Sequence, residues 1–548
     1  GVRVTNNECS GSELLAYGAL EAGVQFVTGY PGSPSTGTVD ALVRLAGDGV
    51  RIEWASNEKS AFDAAFGASL AGTRSLLCLK SVGLNVALDS LMVSNLAAGT
   101  GGFVILVGDD PGGWGSQNEE DARPLVAAAE IPLLEPTSLG AIRSAMRHAF
   151  DLSARHRVPV AVRITRALTL DRAPLGPPVI QAPPPELAHF ERDPERLNVL
   201  PLQVVPLHRQ LQSTLDRVQG EFEHSKLNRA TGSGNLGVIA SGYIYHKLRR
   251  VLAAAGDPPL RLLRLGTLHP LPRQTIVDFL QQVRHILVLE EILPYLETQV
   301  QAIAQGAGLR LPIYGRRTGH VPRAGELLAP EIVAALSALL PDWSWPALEA
   351  EERLRPSRQS LCDDCPYIPA LEALLAVMDQ YGGRGTFVVA GETGCMVRAQ
   401  LPPWEILDLK YGMGSSIGLA AGLARSGIPE RIVALAGDSA LLHSGLIELI
   451  DAVQAGVDLL VVVLANETTA LSGGQPHPSS NRDIQGLPRT PLDLARLIEA
   501  TGPALVRVVD PENRAETQNA LAAGIDIAGV GVVIVKRACP LWALDTGM

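Results

Sequence analysis

The sequence predicts a multi-domain α/β protein, and three observations lead there. Residues 431–480 read as strand, helix and strand: an apolar run at 432–436 ends at Gly437 and Asp438, Leu441, Leu442, Leu446, Leu449, Ile450 and Val453 recur at three and four, and a second apolar run at 459–465 stops at Asn466. The same alternation of short apolar runs with helical patterns recurs through 24–165 and 237–340. Finally, 548 residues exceed what one core organises, and Pro-rich breaks at 173–198 and 341–360 divide the chain. The expected divisions are 1–172, a linker with a charged amphipathic helix over 173–232, then 233–345 and 346–548.

From the N-terminus, Ser10 with Glu13 three residues on has the capping-box pattern of a helix start, and Leu14, Leu15, Ala19 and Leu20 form its apolar face. Strands are expected at 24–27, 51–55, 76–79, 103–107 and 158–165. The helix expected at 59–70 is rich in small residues (Ala61, Ala64, Ala65, Gly67, Ala68), so it packs closely, and Glu58 stands at its positive end. A helix is expected at 208–227. Gly232 to Gly237 spell G-x-G-x-x-G, but the run precedes its strand at 238–240 instead of following one, which argues against a dinucleotide turn. Further strands are expected at 387–390 and 531–536.

Composition narrows the class. Aromatic residues make up 4% of the chain and apolar residues 46%, so the cores rest on Leu, Val, Ile and Ala. With 57 acidic against 46 basic side chains the net charge is −11, which argues against a nucleic acid or an anionic membrane as partner. No apolar run nears the roughly 18 residues of a membrane span, and the first residues hold no apolar signal core. A cytoplasmic location is expected. Among six cysteines only Cys362 and Cys365 are close in sequence. That C-x2-C pair fits half a zinc site, a redox pair or a structural role. No ferredoxin-type run is present, so no iron–sulfur cluster is expected in this chain.

Asp438 and Asn466 lie at the ends of two runs 28 positions apart, which suits one helical crossover between adjacent parallel strands. Ligands of open parallel sheets bind at that edge. A carboxylate beside an amide oxygen suits Mg²⁺, which keeps phosphate oxygens as further ligands. A backbone carbonyl just past Asn466, that of Thr468, completes the expected shell, and Gly437 lets the chain approach a diphosphate closely. The string GDS…HSG…N-x-TTA…QPHP, from Gly437 through His443 and Asn466 to Pro478, resembles the large subunit of indolepyruvate ferredoxin oxidoreductase and related thiamine-diphosphate-dependent 2-oxoacid oxidoreductases.

The resemblance implies residue roles. The stretch from Asn57 to Gly72 matches N-E-x-x-A-x-x-x-A-x-G-A-S-x-A-G, which makes Glu58 the carboxyl that activates the cofactor's pyrimidine ring. It places Ser33 and Arg163 with Glu58 in the catalytic group, although a strand-end salt bridge suits Arg163 equally. Tyr30, Pro31, Gly32 and Asn85 are expected at the cofactor. So are Gly391, Glu392, Thr393, Gly394 and Cys395, similar to G-D-I-G-C, and Gly412, Met413, Gly414 and Ser415, with Met413 either beneath the cofactor or simply core. Gly437, Asp438, Ser439, Ala440, Asn466, Thr468 and Thr469 complete that group, with Asp438, Asn466 and Thr468 on the metal. Lys80, Ser81, Trp114, Gln117, Asn118, His443 and His477 are candidate substrate contacts. Ser81 and Trp114 stand where the family has His, and Tyr367 replaces the His of C-P-G-C-P-H.

The implied fold is a thiamine-diphosphate-binding fold, with pyrimidine and diphosphate domains flanking a transketolase-C-terminal-like domain and the cofactor between the first and last. The implied activity is oxidative decarboxylation of a 2-oxoacid, an aryl pyruvate such as indolepyruvate, to an acyl-coenzyme A. The expected cofactors are thiamine diphosphate and Mg²⁺. The expected partners are an electron carrier and a smaller β/γ-type subunit, with a cluster or flavin on the partner, in a hetero-oligomer containing a dimer of this chain. A non-oxidative decarboxylase or carboligase, and a catalytically silent scaffold, are the competing readings.

Overall fold

The computed structural model describes residues 8–97, 99–174, 188–349 and 360–544. Half of the linker expected at 173–198 and half of the connector at 341–360 lie outside the described residues. The chain divides into two compact units, 1–53 with 58–355 and 54–57 with 356–548. Among the described residues no helix is long and apolar enough to cross a membrane.

The N-terminal unit holds a seven-stranded sheet in the order Thr267–His269, Leu133–Leu134, Val160–Thr165, Phe103–Asp109, Ser75–Lys80, Phe26–Gly29 and Arg51–Trp54. Its central strands pair in parallel, and Phe103–Asp109 is buried throughout, as an unbroken apolar run covered on both faces requires. The strand expected at 24–27 begins two residues later. Gly23 is left-handed and Val24 N–H donates to Ala19 O, so Val24 belongs to the C-terminal cap of the helix Gly11–Glu21. The expected capping box is present, with Glu13 N–H on Ser10 Oγ and Ser10 N–H on Glu13 Oε2. The helix expected at 208–227 spans Pro201–Glu223, because a proline at the first helical position is already shaped for it.

A second sheet, of five strands, runs Ile313–Tyr314, His285–Leu289, Leu236–Ser241, Leu260–Leu265 and Arg229–Gly232, the last antiparallel. Arg123 links it to the first. Its guanidinium, 1% exposed, reaches Asp121 at 2.7 Å, Glu290 at 2.9 Å and the carbonyls of Glu291 and Leu293 at 2.8 and 3.1 Å. Lys247 adds bonds to Glu291 and Glu326.

The C-terminal unit is a six-stranded, wholly parallel sheet ordered Leu409–Lys410, Phe387–Gly391, Arg431–Gly437, Leu459–Ala465, Val530–Lys536 and Leu505–Val509. Val433, Leu435, Val462, Leu464 and Val535 pack on one face, and Ala434, Ala436, Val461, Val463 and Ile534 on the other. The alternate faces of each strand are thus both covered. With aromatics scarce, β-branched and Leu side chains carry these layers.

Replacing Arg123 by Ala leaves Asp121 and Glu290 buried without their cation. We expect a loss of about 3–5 kcal/mol of stability by chemical denaturation, and Arg123→Lys to recover only part of it, since one ammonium cannot serve the same fork of acceptors.

Candidate cofactor site

Within the C-terminal unit the register Gly437↔Leu464 sets the ends of two neighbouring parallel strands side by side, so Asp438 and Asn466 emerge at the same edge. Both are buried, at 2% and 5% exposure. Glu467 takes a left-handed φ of 66°, and its N–H donates to Asp438 Oδ2 at 2.8 Å. A non-glycine residue in that region is strained and persists only where its surroundings hold it. Asn466 Oδ1 accepts from Thr468 N at 3.2 Å, its carbonyl accepts from Cys539 N at 3.0 Å, and Ser439 N donates to Asp438 Oδ1 at 2.9 Å.

The loop that follows folds back on this turn. Thr468 Oγ1 and Thr469 N both donate to Gln475 O, at 3.0 and 2.9 Å, and Ser480 Oγ donates to Glu467 O at 2.6 Å. His477 is buried with its Nε2 3.3 Å from Asp438 Oδ2. His443 lies in a π-helical turn, Leu441–Gly445, that the three-and-four spacing did not disclose. There Ser444 Oγ donates to Met413 O at 3.1 Å. Gly414, at φ 77°, has no room for a side chain, since a Cβ would lie 2.0 Å from Ser444 Oγ. Met413 is half-buried, so plain core packing does not describe it.

Glu392 is fully buried beneath the same edge. It accepts from Gly437 N at 2.9 Å and Ser416 Oγ at 3.3 Å, yet burial pushes its carboxyl up to about 8. Cys395 is pushed up to about 12 by burial, with Cys365, Cys539 and Cys362 adding repulsion, and burial pushes Cys365 up to about 11, with Cys362 and Cys539 again adding to it. Cys395 and Cys539, distant in sequence from the Cys362–Cys365 pair, therefore lie within electrostatic reach of it.

Among the described residues no three of His, Cys, Asp and Glu surround a single ion. The shell read here needs only one of these, since the rest are an amide oxygen, a carbonyl and phosphate oxygens. The buried carboxylate and the amide oxygen beside it fit the hard-oxygen shell of a magnesium diphosphate.

In the N-terminal unit, Glu58 is buried at the start of the helix Glu58–Leu70 and lies over Gly83, where a Cβ would come 2.7 Å from its Cγ. The loop Tyr30–Ser33 is pinned by Gly32 N on Thr36 Oγ1 at 2.7 Å and lies against Lys80, whose Nζ donates to Gly115 O at 2.8 Å. Ser81 is buried at the start of the short helix Ser81–Val86. Asn85 and Asn118 both donate to Glu120 Oε2 at 3.0 Å, in the loop that also carries Gln117. One substrate candidate, Trp114, and one catalytic candidate, Arg163, are engaged in other contacts. Trp114 Nε1 donates to Glu326 at 2.8 Å, and Arg163 is buried between Asp109 and Glu135, so the strand-end ion pair describes Arg163.

Residues 392–535 match the family described as thiamine pyrophosphate enzyme, C-terminal TPP binding domain. Over 97% of its length the chain is 32% identical to indolepyruvate oxidoreductase subunit IorA of Pyrococcus abyssi, covering 86% of that protein. It is 33% identical to the subunit IorA of Methanothermobacter thermautotrophicus, with the same coverage of each chain. The chain belongs to the IorA family of indolepyruvate oxidoreductases. It is accordingly an oxidoreductase of the thiamine-diphosphate-dependent 2-oxoacid class, with the α/β cofactor-binding fold expected from the sequence. In this member of the IorA family the matched thiamine region begins at Glu392 and includes both strand-end ligand candidates.

The raised Glu392 carboxyl has a defined pH signature. A group whose folded pKa lies above its unfolded value contributes stability at low pH that is lost as pH rises through the folded pKa. Thermal unfolding should therefore show the midpoint falling between pH 5 and 8, and Glu392→Gln should flatten that slope. Gly83→Ala should displace the Glu58 carboxyl and lower turnover at least tenfold, with the chain still folded by circular dichroism.

Proposed function

We propose that this chain catalyses the thiamine-diphosphate- and Mg²⁺-dependent oxidative decarboxylation of an aryl 2-oxoacid such as indolepyruvate, with the acyl group passing to coenzyme A. The observation that carries the reading is the strained, buried turn Asn466–Glu467–Thr468 bonded to Asp438 at the edge of a parallel sheet. Membership in the IorA family supports the substrate class.

When bound, the cofactor supplies a nucleophilic carbon and an electron sink for loss of CO₂. The chain supplies the rest. Asp438, Asn466 and the Thr468 carbonyl would hold the cation, and the backbone at Gly437 and Ser439 would lie against the diphosphate. Glu58 would hold the proton shared with the pyrimidine ring. Gly83, having no side chain, leaves its carboxyl room to do so. Two electrons leave one at a time to a smaller partner subunit or a ferredoxin, and the working assembly is a hetero-oligomer.

Glu58→Gln should lower kcat about 10²- to 10⁴-fold, the usual range for a lost proton-transfer group, in an anaerobic assay of the intact complex with a viologen acceptor. Unchanged turnover contradicts the proposed role of Glu58. Aldehyde formed in stoichiometric amount without acceptor reduction points to non-oxidative decarboxylation.

A further inference from the structure

His477 belongs with the metal carboxylate. Its ring is 3% exposed and stands 3.3 Å from Asp438, itself 2% exposed. Ser479 N donates to Nδ1 at 3.4 Å and Ser479 Oγ lies 3.1 Å from it. A backbone N–H can only donate, so Nδ1 is the acceptor and the neutral ring carries its proton on Nε2. That Nε2 is buried, makes no well-aligned hydrogen bond, and has Asp438 Oδ2 beside it.

The backbone of the same residue closes a circuit. His477 N donates to Ser480 Oγ at 2.9 Å, Ser480 Oγ donates to Glu467 O at 2.6 Å, and Glu467 N donates to Asp438 Oδ2 at 2.8 Å. Arg489 braces the loop from outside, with Nε on Ser480 O at 3.1 Å and Nη2 on His477 O. Turn, loop and carboxylate thus hold one another.

We propose that His477 is a positioning residue for cation binding: its Nε2–H and the Glu467 N–H together hold Asp438 Oδ2, leaving Oδ1 turned toward the cation. The inference rests on reading Asp438 as a cation ligand. It moves His477 from the substrate to the metal and accounts for a histidine following the metal turn at this distance. Hydrogen-bonding partners of ligating carboxylates set ligand orientation, and their loss commonly weakens metal binding about 10- to 100-fold.

The test is Mn²⁺ titration of the intact complex at saturating thiamine diphosphate, read by electron paramagnetic resonance, beside the KM for indolepyruvate. His477→Ala should weaken Mn²⁺ binding about 10- to 100-fold, with KM for indolepyruvate little changed, and His477→Gln, which keeps a donor, should recover most of the affinity. Unchanged Mn²⁺ affinity in His477→Ala overturns the proposal, and a raised KM with that affinity intact restores the substrate contact. Should the Ala variant fail to fold by thermal unfolding, Ser480→Ala opens the same circuit and should weaken Mn²⁺ in the same direction; unchanged affinity there overturns the proposal too. Wild-type protein that binds no Mn²⁺ alongside thiamine diphosphate removes the cation reading itself.

Discussion

Two parallel strands that end at the same height are the constraint on which the candidate site depends. The register of Arg431–Gly437 on Leu459–Ala465 brings Asp438 and Asn466 to one edge, and the Glu467 N–H on Asp438 Oδ2 fixes the turn between them. A left-handed glutamate is costly, of the order of 1–3 kcal/mol, and the loop to Ser480 holds it there. The cores beneath, built from Val, Leu, Ile and Ala, keep that edge rigid.

In the N-terminal unit, buried charge does comparable work. Arg123 joins Asp121 to Glu290 across two sheets, Arg163 sits between Asp109 and Glu135, and Lys247 draws Glu291 to Glu326. The loop from Trp114 to Arg123 is fastened by several such contacts. Glu119 holds Gly325 N, Asp121 holds Arg123, and Trp114 holds Glu326. Charge buried between sheets and charge placed around a ligand have the same composition, so sequence alone does not separate the two.

Much of this was legible from periodicity. The run at 459–465 is a strand with those bounds, and the Asp438–Asn466 pairing follows from one crossover length. What spacing could not show depends on three dimensions. The π turn at Leu441–Gly445 keeps an apolar face that helical periodicity also predicts. The raised carboxyl of Glu392 comes from burial in the folded chain, which no local pattern records. Cys395 and Cys539 lie within electrostatic reach of the Cys362–Cys365 pair although far from it in sequence, which no spacing records. Val24 reads as strand by composition but is claimed by the preceding helix cap, which needs its N–H.

The central claim is that Asp438 and Asn466 hold a divalent cation that in turn holds a diphosphate. Isothermal titration of the intact complex with thiamine diphosphate, in Mg²⁺ and again in chelator, tests it most directly, with Asp438→Asn alongside. The account predicts tight binding in Mg²⁺ that chelator and Asp438→Asn each weaken at least a hundredfold. Equal affinity under all three conditions would contradict it.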